Sequence, residues 1–77
     1  MSRINQADRV AELTALLPKV RASKAKAARK VVLDNIANVI ATAPWGSRQQ
    51  HELMWLTEKG GLFPSYYAGS IRVQEKA

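Results

Sequence analysis

The strongest breakers of regular structure are few and well spaced in this chain, and they set the length of everything between them. Prolines stand at 18, 44 and 64 and glycines at 46, 60, 61 and 69. Proline removes a backbone donor and glycine weakens any element interior, so each position marks an end or a turn. Before Pro18, the three- and four-residue spacing of Ala7, Val10, Leu13 and Leu17 predicts a helix over Gln6–Leu17. Asn5 is its N-cap and Asp8 suits its positive end. Pro18 is expected to end or kink it. Between Pro18 and Pro44 the longest helix is expected, over Ser23–Ala43, capped by Ser23. Ala25, Ala28, Val32, Ile36, Val39 and Ile40 lie on one side, with Leu33 at the edge and Asp34, Asn35, Asn38 and Thr42 opposite.

A third helix is predicted over Ser47–Lys59. Ser47 and Gln50 have the spacing of a capping box, Leu53 and Leu56 make a stripe widened by Met54 or Trp55, and Gly60 caps the end. Beyond it, Phe63–Tyr67 and Ile71–Gln74 read as two strands joined at Ala68-Gly69-Ser70, with Pro64 restricting the first to an edge. The rival is a short helix capped by Ser65, which Gly69 would weaken at its middle. The expected fold is a mainly α single domain over residues 1–77: three helices, a long central one, and a short C-terminal β-hairpin.

Two DNA-binding arrangements are compatible with this order. In one, the third helix and the hairpin stand as helix and wing of a winged helix. In the other, the tract GLFPSYYAGSI resembles in rhythm the turn and second helix of phage-repressor-type helix-turn-helix proteins. That resemblance implies a recognition helix over Pro64–Val73. The chain departs from the pattern, because Leu56 or Thr57 stands where the family prefers a small residue, and Gly69 falls inside the second helix.

A chain of 77 residues without cysteine holds one small core and buries only about 60% of its unfolded surface. It has no disulfide framework, no thiol nucleophile and no cysteine zinc site. The start, MSRINQADRV, lacks the apolar run of a signal peptide, and no stretch is long and apolar enough to span a bilayer. A small basic cytoplasmic protein is expected, with no cofactor and no metal. His51 is the single imidazole and has no ligand cluster or nucleophile at useful spacing. Asp8 and Glu12 are solvated helix carboxylates, and Gly60-Gly61 follow a helix where a phosphate loop would open one. No catalytic constellation is present in the sequence, so no enzymatic role is expected.

Charge is the most informative feature for function. There are twelve Lys or Arg and six Asp or Glu, for a net charge of +6. Lys19, Arg21, Lys24, Lys26, Arg29 and Lys30 share one acid-free window, KVRASKAKAARK, while the remaining six cations match the six acids. Lys26, Arg29 and Lys30 share a helix face bordering the apolar stripe. Cations at a helix start oppose the macrodipole by about 0.3–1 kcal/mol each, and like charges at Lys26 and Lys30 add a few tenths. A polyanionic partner gives such a patch a purpose, because each phosphate contact releases counterions. The expected function is therefore a small nucleic-acid-binding regulator or accessory protein, with DNA the favoured ligand. Lys26, Arg29 and Lys30 take phosphates, Lys19, Arg21 and Lys24 extend the track, and Arg48 adds a contact from the third helix. The plain alternative is a basic face kept for solubility. An acidic protein surface is a further partner. A membrane is not expected, because the apolar face lacks interfacial aromatics.

Trp45, Trp55, Phe63, Tyr66 and Tyr67 cluster in the C-terminal half. Their bulk is expected to supply most of the core, with Trp45 partly exposed and one of Tyr66 and Tyr67 facing solvent. Exposed members of the set Trp45, Trp55, Tyr66 and Tyr67 are candidate protein-interface anchors. They motivate the alternative function, a protein-binding module such as a phage- or mobile-element-type inhibitor of a host enzyme. A homodimer through the Ala-rich face of the long helix is a third arrangement.

Overall fold

A computed structural model describes residues 5–76; Arg3, counted above among the balancing charges, lies outside them. The order is three helices and then a two-stranded antiparallel hairpin: α1 Gln6–Ala22, α2 Lys26–Ala41, α3 Arg48–Lys59, β1 Leu62–Tyr67 and β2 Ser70–Glu75. The protein is mainly α with a C-terminal β-hairpin, as the breaker pattern leads one to expect.

The Asn5 side chain accepts from the Asp8 N–H at 2.8 Å and starts α1. The helix does not end at Leu17; it runs through Pro18 to Ala22. Packing outweighs the local penalty here. Leu13 and Val20 are both buried, two turns apart on one face, and anchor the helix on either side of the proline. Pro18 itself is exposed. Ser23 then closes α1 instead of opening α2: its N–H and hydroxyl both donate to the Lys19 carbonyl, at 3.0 and 2.8 Å. As a result α2 begins three residues later than expected, at Lys26, behind Ala25, with no side-chain cap. It also ends earlier, at Ala41, so its 16 residues fall one short of the 17 of α1 and the expected longest helix is not α2.

Three contacts fix the helix arrangement. Arg9 donates to the Thr42 hydroxyl and carbonyl, both at 3.1 Å, so the start of α1 meets the end of α2 and the two helices run antiparallel. The Gln6 amide donates to the Gln49 carbonyl at 3.1 Å and to the Glu52 carboxylate at 2.6 Å, placing the start of α3 at the same end. Gly60, closing α3, lies against Leu17, so α3 runs alongside α1 in the same sense. The bend at 23–25 therefore sits at one end of the molecule and the α2–α3 connection at the other.

Ser47 caps α3 by accepting from the Gln50 N–H at 3.2 Å, but the return half of the capping box is absent. The Gln50 side chain turns inward. It is fully buried, donates to the Ile40 carbonyl at 3.2 Å, and accepts from the Gly46 N–H at 2.8 Å and the Tyr66 hydroxyl at 3.0 Å. One amide thus ties together α2, the α2–α3 connection, α3 and β1.

The tract from Gly61 to Ile71 forms strand, turn and strand, so the recognition helix implied by the phage-repressor resemblance does not exist. The turn is two residues, Ala68-Gly69, both with positive φ (48° and 81°), the geometry that matches strand twist. Ser70 belongs to β2. The register pairs Leu62 with Glu75 and Tyr67 with Ser70. The alternation puts Leu62, Pro64, Ile71 and Val73 on the buried face.

The core is aliphatic: Leu13, Val20, Ile36, Val39, Ile40, Ala43, Leu53, Leu62, Ile71 and Val73. This overturns the expectation of an aromatic core. All five aromatic side chains are exposed, from 42% for Tyr66 to 58% for Trp55. The reason is positional. Leu53 and Thr57 direct the buried face of α3, which leaves Trp55 on its solvent side, while Phe63 and Tyr67 fall on the outer face of the hairpin.

Candidate nucleic-acid interface

The basic window forms the bend of the α1–α2 hairpin. Lys19 and Arg21 occupy the last turn of α1, Lys24 the connection, and Lys26, Arg29 and Lys30 the first turns of α2. Lys19 and Arg21 complement the negative end of α1. Lys26 sits at the positive end of α2, whose first N–H groups receive no side-chain cap.

Lys19, Arg21, Lys24 and Lys26 are exposed, and among the described residues none of them pairs with a carboxylate. The other two differ from expectation, because the fold brings acids to them. Lys30 reaches Asp34 at 3.3 Å across one turn, in a pair whose side chains are 75% and 62% exposed. Such a pair is worth only about 0.3–0.5 kcal/mol, so Lys30 exchanges partners easily. Arg29 lies 3.6 Å from Glu75 at the end of β2 and is half-buried, and its Nε is buried without a hydrogen-bond partner.

Glu75 and Lys76 are the components that the sequence reading missed. The hairpin register returns the end of β2 beside the start of β1, and β1 starts against α1. Glu75 and Lys76 consequently share one cleft with Arg21, and Glu75 shares another with Lys26 and Arg29. The signal was present in the strand lengths: a two-residue turn between equal strands puts the last residue of the second beside the first residue of the first. Around the bend, seven cations face one nearby strand carboxylate, Glu75.

Arg48 is not part of this cluster. It is exposed in the first turn of α3, at the opposite end of the molecule. A 17-residue helix at 1.5 Å per residue separates the two ends by about 25 Å.

The aromatic candidates divide into separate groups. Trp45 and Tyr66 meet edge-to-face, with ring centroids 5.0 Å apart. Tyr67 lies under Arg72 at 4.3 Å, and Trp55 under Lys59 at 4.8 Å. Tyr66 and Tyr67 fall on opposite faces of β1, and both are exposed where at least one was expected to face solvent. Tyr66 points toward Gln50 and still keeps 42% of its surface.

His51 is exposed, and among the described residues no three His, Cys, Asp or Glu side chains gather as metal ligands. No described helix is long and apolar enough to cross a membrane. Comparison with family models, with curated proteins and with solved structures finds no match for this chain.

Proposed function

We propose that this protein binds nucleic acid, duplex DNA by preference, through the cationic bend between α1 and α2, as a small regulatory or accessory factor of the cytoplasm. The observation that carries the reading is the concentration of four exposed cations, Lys19, Arg21, Lys24 and Lys26, none paired with a carboxylate among the described residues, around a helix start without a side-chain cap. Each can take a backbone phosphate, and the free N–H groups of α2 favour a phosphate oxygen in the same place. Lys30 and Arg29 join by exchanging Asp34 and Glu75 for phosphate. With four to six contacts, the affinity falls with salt at a log–log slope of about −4 to −5. The groups at the bend contact the DNA backbone, so binding is expected to be weakly dependent on base sequence.

The test is a salt-dependent titration with duplex DNA. Lys24→Glu with Lys26→Glu is expected to abolish binding at physiological salt and to flatten the remaining slope by about two. Arg48→Glu, at the far end, is expected to leave both unchanged. Wild-type affinity in the double variant would refute the assignment.

The exposed Trp45–Tyr66 pair favours a second reading, a protein-binding module of the host-enzyme-inhibitor kind. A stoichiometric protein partner that survives nuclease treatment and is lost on Trp45→Ala would support it. Loss of the partner with nuclease would support DNA binding.

A further inference from the structure

The hairpin has two outer edges, and they differ. A two-residue turn makes the flanking Tyr67–Ser70 pair one that exchanges backbone hydrogen bonds, so Phe63, Ser65, Arg72 and Gln74 bond inside the hairpin as well. The remaining residues aim their backbone groups outward. On β1 these are Leu62, Pro64 and Tyr66, and Pro64 interrupts the edge because it has no N–H. On β2 they are Ile71, Val73 and Glu75, and all three N–H groups are present. Among the described residues no backbone hydrogen bond beyond the hairpin reaches them. All of β2 lines an open groove of about 520 Å³, whose α2 side is the half-buried Leu33 and Ala37 flanked by the exposed, mutually paired Lys30 and Asp34.

We propose that this edge pairs with β2 of a second copy, antiparallel across a twofold axis at Val73, to make a continuous four-stranded sheet. The charge pattern selects this register. Centred on Val73, Arg72 lies opposite the partner's Gln74, and Ile71 opposite the partner's Glu75. Centring on Arg72 sets that arginine against itself, and centring on Gln74 sets Arg72 against Lys76, both of which are unfavourable. The Val73 register avoids like-charge opposition, keeps the buried-face residues on one side of the joined sheet and covers Leu33 and Ala37. An unprotected edge on so small a domain gains both hydrogen bonds and core from the pairing. The dimer seam lies on the hairpin and α2, not on the Ala-rich start of α2, and does not depend on DNA binding.

Sedimentation equilibrium tests it through residue 74, which is exposed on the outer face. Gln74→Lys puts a lysine opposite Arg72 at two symmetric places and is expected to weaken the dimer about tenfold. Gln74→Glu strengthens it, and Arg72→Glu combined with Gln74→Lys restores it. The amides of Ile71, Val73 and Glu75 gain hydrogen-exchange protection as concentration rises. A monomer at every accessible concentration overturns the proposal, as does a dimer indifferent to the charge at 74. Edge amides protected independently of concentration, or only after an extended peptide is added, also overturn it.

Discussion

Gln50 shows how much one side chain holds together. Its amide serves the Ile40 carbonyl, the Gly46 N–H and the Tyr66 hydroxyl from a fully buried position. Gln50→Leu preserves approximate volume and removes all three bonds. The Ile40 carbonyl keeps only the Ala43 N–H at 3.3 Å and the Gly46 N–H loses its acceptor, so we expect a loss of about 1–3 kcal/mol in urea unfolding. Glu75 works in the opposite direction. Glu75→Gln releases Arg29 and removes one of the two carboxylates that pair with the bend's cations, so DNA affinity should rise about two- to fivefold while stability falls by less than about 1 kcal/mol. A titration and a melt on the same variant separate the two effects. Gln50 was legible in the sequence only as a cap residue. Spacing reveals that a glutamine sits three positions after a serine, but not that the connection before it folds back over the helix and offers it better partners.

At the scale of elements, helix existence followed from periodicity and the hairpin from its turn residues. The errors fall at α1 and its junction with α2. Pro18 is a strong local stop, yet the contacts of Leu13 and Val20 with the core outweigh it. Local rules cannot weigh a penalty at one residue against burial of another two residues on. The proline still costs α1 a hydrogen bond to the Thr14 carbonyl. Pro18→Ala at this exposed site is therefore expected to stabilise the protein by about 1–3 kcal/mol, read as a higher melting temperature with unchanged far-ultraviolet helicity. A loss of stability would show that the proline imposes a bend on which α1 packing depends. Ser23 was misassigned for a related reason: serine caps either end, and only the position of its hydroxyl beside the Lys19 carbonyl decides between them.

The whole molecule is an electrostatically lopsided body. Six cations gather at the α1–α2 bend, while Asp8, Glu12 and Glu52 lie toward the opposite end, with Arg9 and Arg48 among them. The clustering of charge was legible because neighbours in sequence remain neighbours in space around a tight bend. The arrival of Glu75 and Lys76 was not, because it depends on the path of the hairpin across the core. The placing of the aromatics was equally hidden. Composition suggested that a core this small would recruit them, but the volume between three short helices and a hairpin is filled by leucine, isoleucine and valine.

With Trp45 and Trp55 respectively 56% and 58% exposed, the indoles already meet water in the native state. Their emission is therefore a poor gauge of denaturation, and circular dichroism has to serve instead. The same two fluorophores respond directly to whatever settles on the surface around them. Quenching of Trp45 alone, in a Trp55→Phe background, would give an optical readout of any ligand at the α2–α3 connection.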